Sequence, residues 1–172
     1  MKTFLIVAGL VMFSVCNAQE KVKWYTIEEA LALNKKEPRK IIIDVYTDWC
    51  GWCKKLDRDT YSNATIAQYM NEKYYPVKFN AEQKEDVIIK NDTFRYVSQG
   101  GSGHNEFAAA LLNGKLGYPS IVFLDENVHP FMIWPGYADP KTFDKIIHYI
   151  GEDYYKKEPW DTWVASYDSP IK

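Results

Sequence analysis

Apolar residues gather into short runs that polar turns separate, a pattern typical of a chain in which strands alternate with helices. Residues 41–46 are apolar except for Asp44, and such a run predicts a central strand that is covered on both faces. Further β-prone apolar runs at 75–80, 120–124 and 131–134 predict three more strands. We interpret these four runs as the strands of one sheet.

Capping residues and helical spacing predict the helices. Thr26 is a candidate N-cap, and Glu29 three residues later completes a capping box for a helix over residues 26–33. Asp139 followed by Pro140 gives the start of another helix, because aspartate suits the N-cap and proline the first helical position. The same criteria predict helices over residues 50–61, 62–70, 105–112 and 160–166.

A segment with weaker patterns lies between the second and third predicted strands. Residues 87–97 contain two β-prone runs around a turn and predict a hairpin. Residues 99–103 are rich in glycine and predict a flexible loop, so we expect His104 beside it to be mobile and without a catalytic role. The order of all elements is a strand–helix–strand half followed by a strand–strand–helix half. This order predicts an α/β fold in which a central mixed β-sheet is flanked by helices on both faces.

Composition narrows the class of protein. The chain has 172 residues, of which 47% are hydrophobic and 16% aromatic, and this fits one folded domain rather than a disordered chain. The net charge is −2 and no basic block is present, so nothing favours binding to nucleic acid. We expect a monomer that does not bind nucleic acid.

The N-terminal residues differ in character from the rest of the chain. Lys2 supplies a positive start, residues 4–15 are an apolar stretch too short to span a membrane, and Ala18 offers a small residue for cleavage. We therefore interpret residues 1–18 as a signal peptide and residues 19–172 as a single exported domain, which we expect in the periplasm.

Export would change the cysteine count. Cleavage removes Cys16 and leaves Cys50 and Cys53 as the thiols of residues 19–172. It also takes these two residues to a compartment in which disulfides form and persist. A retained N-terminal anchor is one alternative, and lipidation at Cys16 is another, although the residues before Cys16 match a lipidation site poorly.

Cys50 and Cys53 stand where a predicted strand leads into a predicted helix. Two thiols at this spacing can close into a disulfide and open again, so the pair can store and transfer two electrons. The N-terminus of a helix favours negative charge, and the thiolate is the reactive form of cysteine. The structural alternative is a permanent staple, although so short a ring removes little chain entropy.

Metal and haem binding find little support in the sequence. A zinc site needs four ligands, whereas only His104, His129 and His148 accompany the two cysteines, and none has paired spacing. Covalent haem attachment would need a histidine after the second cysteine, where the chain has Lys54. We expect neither a metal nor a cofactor, because the cysteine pair would itself carry the electrons.

The chain resembles the thioredoxin superfamily over residues 41–150. The resemblance is carried by Asp44-Val45-Tyr46-Thr47-Asp48-Trp49-Cys50-Gly51-Trp52-Cys53-Lys54, by the strand at 77–80, by the block at 117–125 and by Gly136. The stretch over residues 48–55 is more similar to exported bacterial thioredoxin-like proteins than to cytosolic thioredoxin. Trp52 stands where thioredoxin usually has proline, so the resemblance does not extend to a redox potential.

The resemblance implies a thioredoxin-like fold and roles for four residues. Cys50 would attack a partner disulfide, and Cys53 would resolve the mixed disulfide. Burying the carboxylate of Asp44 in an apolar strand costs free energy unless it is paired or has a task. By resemblance, Asp44 lies beneath the dithiol and moves protons to and from Cys53, with Lys78 as its neighbour. The alternatives are an Asp44 on the outer face of an edge strand and an ordinary solvated Lys78.

The resemblance also implies a substrate-binding edge. It predicts a cis peptide bond between Tyr118 and Pro119, which sequence alone would not indicate. The turn would lie against the dithiol and offer the backbone of Tyr118 to a bound peptide. Trp49 and Trp52 flank the first thiol and could pack against the same peptide, although Trp49 could equally pack only against the helix.

The chain is longer than thioredoxin before the cis-proline strand. Thirty-nine positions separate Asn80 from Pro119, which is more than the simple fold needs. We expect residues 84–116 to form a hairpin and loop insertion, which either shapes the choice of partner or is a peripheral addition.

Together these features predict a thiol–disulfide oxidoreductase of the cell envelope that reduces or exchanges disulfides of exported proteins. A membrane electron carrier or another thioredoxin-like protein would return the cysteine pair to the reduced state. The alternative within the same thiol–disulfide chemistry is a disulfide oxidase or isomerase. From another class of function, the alternative is a non-catalytic binding module with a thioredoxin fold.

Overall fold

A mixed four-stranded sheet forms the centre of the molecule in the computed structural model, which describes residues 20–172, the side chain of Gln99 excepted. The expected signal peptide and Cys16 lie outside the described residues. The strands are β1 Lys40–Tyr46, β2 Tyr74–Asn80, β3 Val87–Ile89, β4 Asp92–Phe94, β5 Tyr96–Gln99, β6 Ser102–Asn105, β7 Ser120–Leu124 and β8 Pro130–Pro135. The helices are α1 Ile27–Asn34, α2 Gly51–Leu56, α3 Ala64–Lys73, α4 Glu106–Leu111, α5 Pro140–Gly151 and α6 Trp160–Ser166.

The central sheet has the order β2-β1-β7-β8. Strand β1 runs parallel to β2 and antiparallel to β7, and β8 pairs antiparallel with β7. The two prolines that bound β8 lie on an edge strand, where a missing backbone donor does little harm. The α/β fold class with a mixed sheet, predicted from the order of elements, is confirmed.

Alternation along β1 divides the core into two halves, because successive side chains of a strand point to opposite faces. Ile41, Ile43 and Val45 pack with side chains of α1 and α4. Ile42 packs on the other face, with side chains of α2, α3 and α5. The strand is therefore central and covered on both faces, as the continuous apolar run predicted.

Helices α1 and α5 have the N-cap residues that the sequence predicted. The hydroxyl of Thr26 accepts a hydrogen bond from the backbone N–H of Glu29, and the Glu29 carboxylate accepts one from the N–H of Thr26. Asp139 accepts hydrogen bonds from the N–H groups of Lys141 and Thr142 at the start of α5. Both helices thus begin where polar side chains satisfy otherwise unpaired N–H groups.

The predicted helix over residues 50–61 is not uniform. It is α-helical over Gly51–Leu56 and then widens into a π-helical turn over Asp57–Tyr61. In this turn the hydroxyl of Thr60 donates 2.8 Å to the carbonyl oxygen of Ala138, and both Thr60 and Tyr61 are buried. Tertiary contacts of this kind outweigh local propensity, which carries no signal for a π-helical turn.

Two hairpins follow the second strand. A hairpin is present as predicted, but it covers residues 87–94 as β3 and β4 rather than 87–97, because Tyr96 and Val97 belong to β5. Strand β5 pairs with β6 through a turn at Gly100 and Gly101, both with positive φ. The prediction of a flexible loop over residues 99–103 is therefore wrong, and His104 lies in β6 rather than in a mobile loop. The glycines serve a tight turn between paired strands, which their freedom at positive φ allows.

The hairpin lobe, which we define as residues 82–104, closes on itself at its base. The N–H of Asn105 donates a 2.7 Å hydrogen bond to the carbonyl oxygen of Ala81, so the residues on either side of the lobe are bonded to each other. The buried amide of Asn105 also donates to the carbonyl oxygen of Glu85 at 3.0 Å. Val87 anchors the lobe in the core beside β1 and α4.

Over residues 20–172, none of the helices is long and apolar enough to cross a membrane.

Candidate active site

The two cysteines form a disulfide at the start of α2. Cys50 is the N-cap of this helix, and its Sγ accepts a 3.0 Å hydrogen bond from the backbone N–H of Cys53. The Cα atoms of the pair lie 5.3 Å apart. When the disulfide is opened, the same N–H would stabilise a thiolate on Cys50, because a charge-assisted hydrogen bond is stronger than a neutral one.

Both cysteines are buried, with 3% of Cys50 and 1% of Cys53 exposed. The exposed fractions of the two cysteines differ little. The turn before α2 holds Cys50 in place, because its N–H donates 3.1 Å to the carbonyl oxygen of Thr47. The assignment of Cys50 as the attacking thiol therefore rests on its position at the helix N-terminus, not on accessible area.

Asp44 lies in the central strand on the face that α2 covers, and 1% of it is exposed. Its Oδ2 accepts a 2.6 Å hydrogen bond from Nζ of Lys78, which stands opposite it in the register of β1 and β2. Its Oδ1 has no hydrogen-bond partner among the described residues. Burial raises the pKa of Asp44 to about 6, and the nearby Lys78 ammonium limits the rise.

Lys78 joins two carboxylates. Its ammonium also forms an ion pair with Asp57, which lies in the turn after α2, so it connects a buried acid with a half-exposed one. Burial opposes the charged form of Lys78, but the two carboxylates outweigh it and raise the pKa of this lysine. The ordinary solvated lysine that the sequence left open does not fit this arrangement, because only 19% of the side chain is exposed.

Three aromatic rings surround the same ammonium. The ring centroids of Trp24, Tyr46 and Tyr61 lie 5.1, 5.0 and 5.2 Å from Nζ of Lys78, within the range of cation–π attraction. A surface cleft of about 570 Å³ leads to this point and is lined in part by Trp24 and Asp57. Lys78 is thus held in one position while solvent reaches its outer side.

Sequence reasoning missed Asp57 and Trp24. Asp57 follows Cys53 by four residues, so the helical spacing that places both on one face was a signal that could have found it. Trp24 precedes α1, and nothing in the local sequence places it against β2. The backbone pairing of Tyr25 with Pro76 and Lys78 brings this segment to the sheet edge.

The peptide bond between Tyr118 and Pro119 is cis, as the resemblance implied. The ring of Tyr118 meets the indole of Trp49 edge to face, with centroids 6.0 Å apart. Since Trp49 immediately precedes Cys50, the cis-proline turn lies beside the entrance to the dithiol. The Nε1 of Trp49 also donates 2.9 Å to Oε1 of Glu82, a residue that the sequence analysis did not single out.

Trp49 and Trp52 are among the most exposed large apolar side chains of the described chain, with 67% and 59% of their surface accessible. Trp52 packs with Tyr137, at a centroid distance of 5.5 Å, while Lys55 lies over the same tyrosine ring. Exposed aromatic residues grouped around one chemical site are typical of a surface that binds other molecules.

Residues 20–172 contain no group of three or more histidine, cysteine or acidic side chains that could hold a metal ion. The three histidines are separate: His104 lies in β6, His129 beside Asp125, and His148 beside Asp144 on α5. The described site combines the disulfide at the start of α2 with the paired Asp44 and Lys78 on the sheet.

A family model described as "Thioredox_DsbH: Protein of unknown function, DUF255" matches residues 11–159, which is most of the chain. The chain belongs to this family. Its thioredoxin fold and its cysteine pair at the start of the first helix after β1 are in keeping with the family's description.

Other known proteins resemble the chain. Human Spermatogenesis-associated protein 20 is 26% identical over 117 residues, which are 67% of this chain and 13% of that protein. The Thiol:disulfide interchange protein DsbD of Vibrio vulnificus is 25% identical over 104 residues, covering 60% of this chain and 14% of DsbD. The chain thus spans about a seventh of the length of these curated relatives. A solved structure named DsbH Oxidoreductase aligns over 94% of this chain and 96% of its own, with a TM-score of 0.51 and 16% identity, which shows the shared fold.

Proposed function

We propose that this protein is an exported thiol–disulfide oxidoreductase of the cell envelope that reduces or exchanges disulfides of other exported proteins. The observation that carries the proposal is the Cys50–Cys53 disulfide at a helix N-terminus, with a buried, lysine-paired Asp44 on the strand behind it. A structural staple would not need an ionisable group at such a costly position.

The reaction begins with the reduced pair. The thiolate of Cys50 attacks one sulfur of the partner's disulfide, and the partner's other sulfur leaves as a thiolate. Cys53 then loses its proton and attacks Sγ of Cys50, which releases the second partner thiolate. The Cys50–Cys53 disulfide remains, and two electrons have passed to the partner.

Asp44 serves as the proton acceptor for Cys53 in this scheme. A group whose pKa lies near 6 can both take and release a proton close to neutral pH, which is the property that general acid–base catalysis requires. Lys78 holds the carboxylate in place and connects it to the solvent-facing Asp57.

The partner's chain would lie along the cis-proline turn. The backbone of Tyr118 would pair with an extended segment, and the exposed rings of Trp49 and Trp52 would cover the reacting sulfurs. No cofactor is needed, because the cysteine pair carries the electrons. A membrane electron carrier or another thioredoxin-like protein would return the pair to the dithiol form.

Reduction of insulin disulfides tests the proposal. The chain without residues 1–18 should accelerate precipitation of insulin in the presence of dithiothreitol, and Cys50→Ser should abolish the acceleration. Turnover that survives Cys50→Ser would overturn the mechanism. An inactive wild-type protein that still binds oxidised partners would instead support a non-catalytic binding module.

The direction of the reaction in the cell requires a second measurement. Equilibration of the purified pair with glutathione buffers gives its reduction potential. A value near −270 mV, as in thioredoxin, supports a reductase, whereas one near −120 mV, as in a strong oxidant, supports an oxidase. Partners trapped as mixed disulfides on Cys53→Ser would identify the proteins on which it acts.

A further inference from the structure

A cleft beside the dithiol is not used by the chemistry described so far. It has a volume of about 350 Å³ and lies between the loop that precedes α2, the cis-proline turn and strand β6 of the hairpin lobe. We name it the Trp49 cleft. Its walls include Trp49, Glu82, Gly103, His104, Leu116 and Tyr118.

One part of the wall of the Trp49 cleft is apolar and exposed, and the rest is polar, with Glu82, Ser102 and His104. Trp49 is 67% accessible and Leu116 39%, and both rank among the exposed large apolar side chains of the described chain. The ring of Tyr118 supports Trp49 by an edge-to-face contact. The cleft therefore offers aliphatic and aromatic surface that another chain could cover.

Glu82 gives the polar part of the cleft a negative charge. Its Oε1 accepts the 2.9 Å hydrogen bond from Nε1 of Trp49, which fixes the carboxylate at the cleft wall. Within residues 20–172 no lysine, arginine or histidine forms an ion pair with Glu82. None of the residues lining the cleft is a lysine or arginine. A fixed carboxylate without a cationic partner favours a positively charged ligand.

The hairpin lobe is held close enough to form the far wall. A Cβ atom at Gly103 would come within 2.3 Å of the Tyr96 hydroxyl and 2.6 Å of the Val97 carbonyl oxygen, so only glycine fits where β5 and β6 approach. The ring of Tyr96 lies over this glycine. Strand β6 is thus held closely against β5, and its residues Gly103 and His104 form part of the wall of the Trp49 cleft.

From this geometry we propose that the Trp49 cleft binds a lysine or arginine side chain of the partner protein, near the partner's reacting cysteine. The proposal rests on the proposed function, because it assigns a specificity to the same site. The aliphatic stem of such a side chain would pack on Trp49 and Leu116, and its charged end would meet Glu82 and the face of the indole. Glu82 is bonded to the indole of Trp49, the residue that immediately precedes Cys50, so the charged end of the side chain would lie close to the reacting sulfur.

Charge-varied peptides test the specificity. Three peptides carry one cysteine as a mixed disulfide with 2-nitro-5-thiobenzoate and differ only in having lysine, glutamine or glutamate two residues away. The Cys53→Ser variant attacks each peptide through Cys50. A disulfide between Cys50 and the peptide forms, the sulfur–sulfur bond to the aromatic thiol breaks, and the coloured thiolate is released, so atoms and electrons balance.

At low salt we expect the lysine peptide to react about tenfold faster than the glutamate peptide, since each exposed charge contact contributes a factor of about 2 to 5. In the same background, Glu82→Gln keeps an oxygen that can accept from Trp49 and should reduce this ratio to about twofold or less. Glu82→Lys should reverse the preference. High salt should weaken the preference for the lysine peptide in the variant that retains Glu82, because it screens the charges.

Glu85→Gln is the matched control, because Glu85 is an exposed carboxylate that does not line the Trp49 cleft. It should leave all three rates unchanged. Equal rates for the three peptides, or a preference that persists in Glu82→Gln, would overturn the specificity and leave the oxidoreductase proposal intact. If Cys53→Ser releases the thiolate from none of the peptides, the proposed function itself fails.

Discussion

The ammonium of Lys78 lies 2.6 Å from Oδ2 of Asp44, a carboxylate of which only 1% is exposed. The pair joins the central strand β1 to the parallel edge strand β2, and the two residues stand directly opposite each other in register. A buried ion pair of this kind contributes little net stability, because desolvation offsets the attraction. The pair does, however, keep an ionisable acid buried in the central strand that leads to the dithiol.

The first prediction concerns stability against pH. Burial raises the pKa of Asp44 from 3.8 to about 6, so the folded protein binds a proton that the unfolded chain has lost between these values. The stabilisation that protonated Asp44 provides is full below pH 3.8 and is lost as the pH rises through 6, a change of about 3 kcal/mol. Asp44→Asn should remove this fall in unfolding free energy, as measured by urea denaturation of the oxidised protein at pH 4 and pH 8.

The quantity to compare is the difference in unfolding free energy between wild type and Asp44→Asn at each pH. Contributions from the other titrating groups cancel in this difference. Asp92→Asn, a change at an exposed carboxylate at the start of β4, should parallel the wild type at both values. An Asp44→Asn curve that follows the wild-type pH dependence would contradict a raised pKa at this position.

The second prediction concerns catalysis. Without Asp44 to accept its proton, Cys53 should resolve mixed disulfides about a hundredfold more slowly near neutral pH, the lower part of the range for general acid–base catalysis. Stopped-flow release of peptide from a preformed Cys50 mixed disulfide measures this step in Asp44→Asn. An unchanged rate would assign the carboxylate a purely structural role.

Lys78 and Asp57 should shift the pKa of Asp44 in opposite directions. Lys78→Met removes the charge that lowers the pKa of Asp44, so this pKa should rise above about 6. Asp57→Asn removes a negative charge that raises it, so the pKa should fall. Titration of the ¹³C-labelled Asp44 carboxyl by NMR in the oxidised protein measures both shifts. Shifts of the same sign in the two variants would contradict the arrangement of Lys78 between the two acids.

The fourth prediction concerns the hairpin lobe. Gly103→Ala places a Cβ atom against Tyr96, so β5 and β6 must move apart, and we expect a loss of about 1 to 3 kcal/mol in unfolding free energy. Gly117→Ala is the matched control, because a Cβ there meets nothing within 4 Å. Equal unfolding free energies of the two variants by denaturant titration would contradict the prediction, because they would show that the lobe accommodates a Cβ atom at position 103 without cost.

The sequence was sufficient to predict those elements that depend only on residues close to one another in the chain. The capping box at Thr26, the proline start of α5 and the continuous apolar run of β1 all appear as predicted. In each case the signal lies within a few residues of the feature. The cis bond before Pro119 came from the resemblance alone, because an X–Pro bond is trans in most folded contexts.

Features that depend on distant contacts were missed. Residues 99–103 look like a loop by composition, but pairing of β5 with β6 turns them into a hairpin. The position of Glu82 against the Trp49 indole requires that two loops meet at one end of the sheet. The π-helical turn after α2 likewise depends on the distant carbonyl oxygen of Ala138. These contacts join residues that are far apart in sequence, and residue patterns alone do not encode them.

The backbone hydrogen bond from Asn105 to Ala81 bears on how the sequence of this protein can evolve. Because the chain leaves and returns at the same bonded pair, the part of the lobe beyond the buried Val87 can lengthen without moving β1 or the helix that carries the dithiol. Lengthening such a loop costs little, since each doubling adds only about 0.6 kcal/mol of closure entropy. Under the proposed function, the redox reaction and part of the partner-binding surface would therefore lie on different segments of the chain, so evolution could alter the lobe while the dithiol keeps its position.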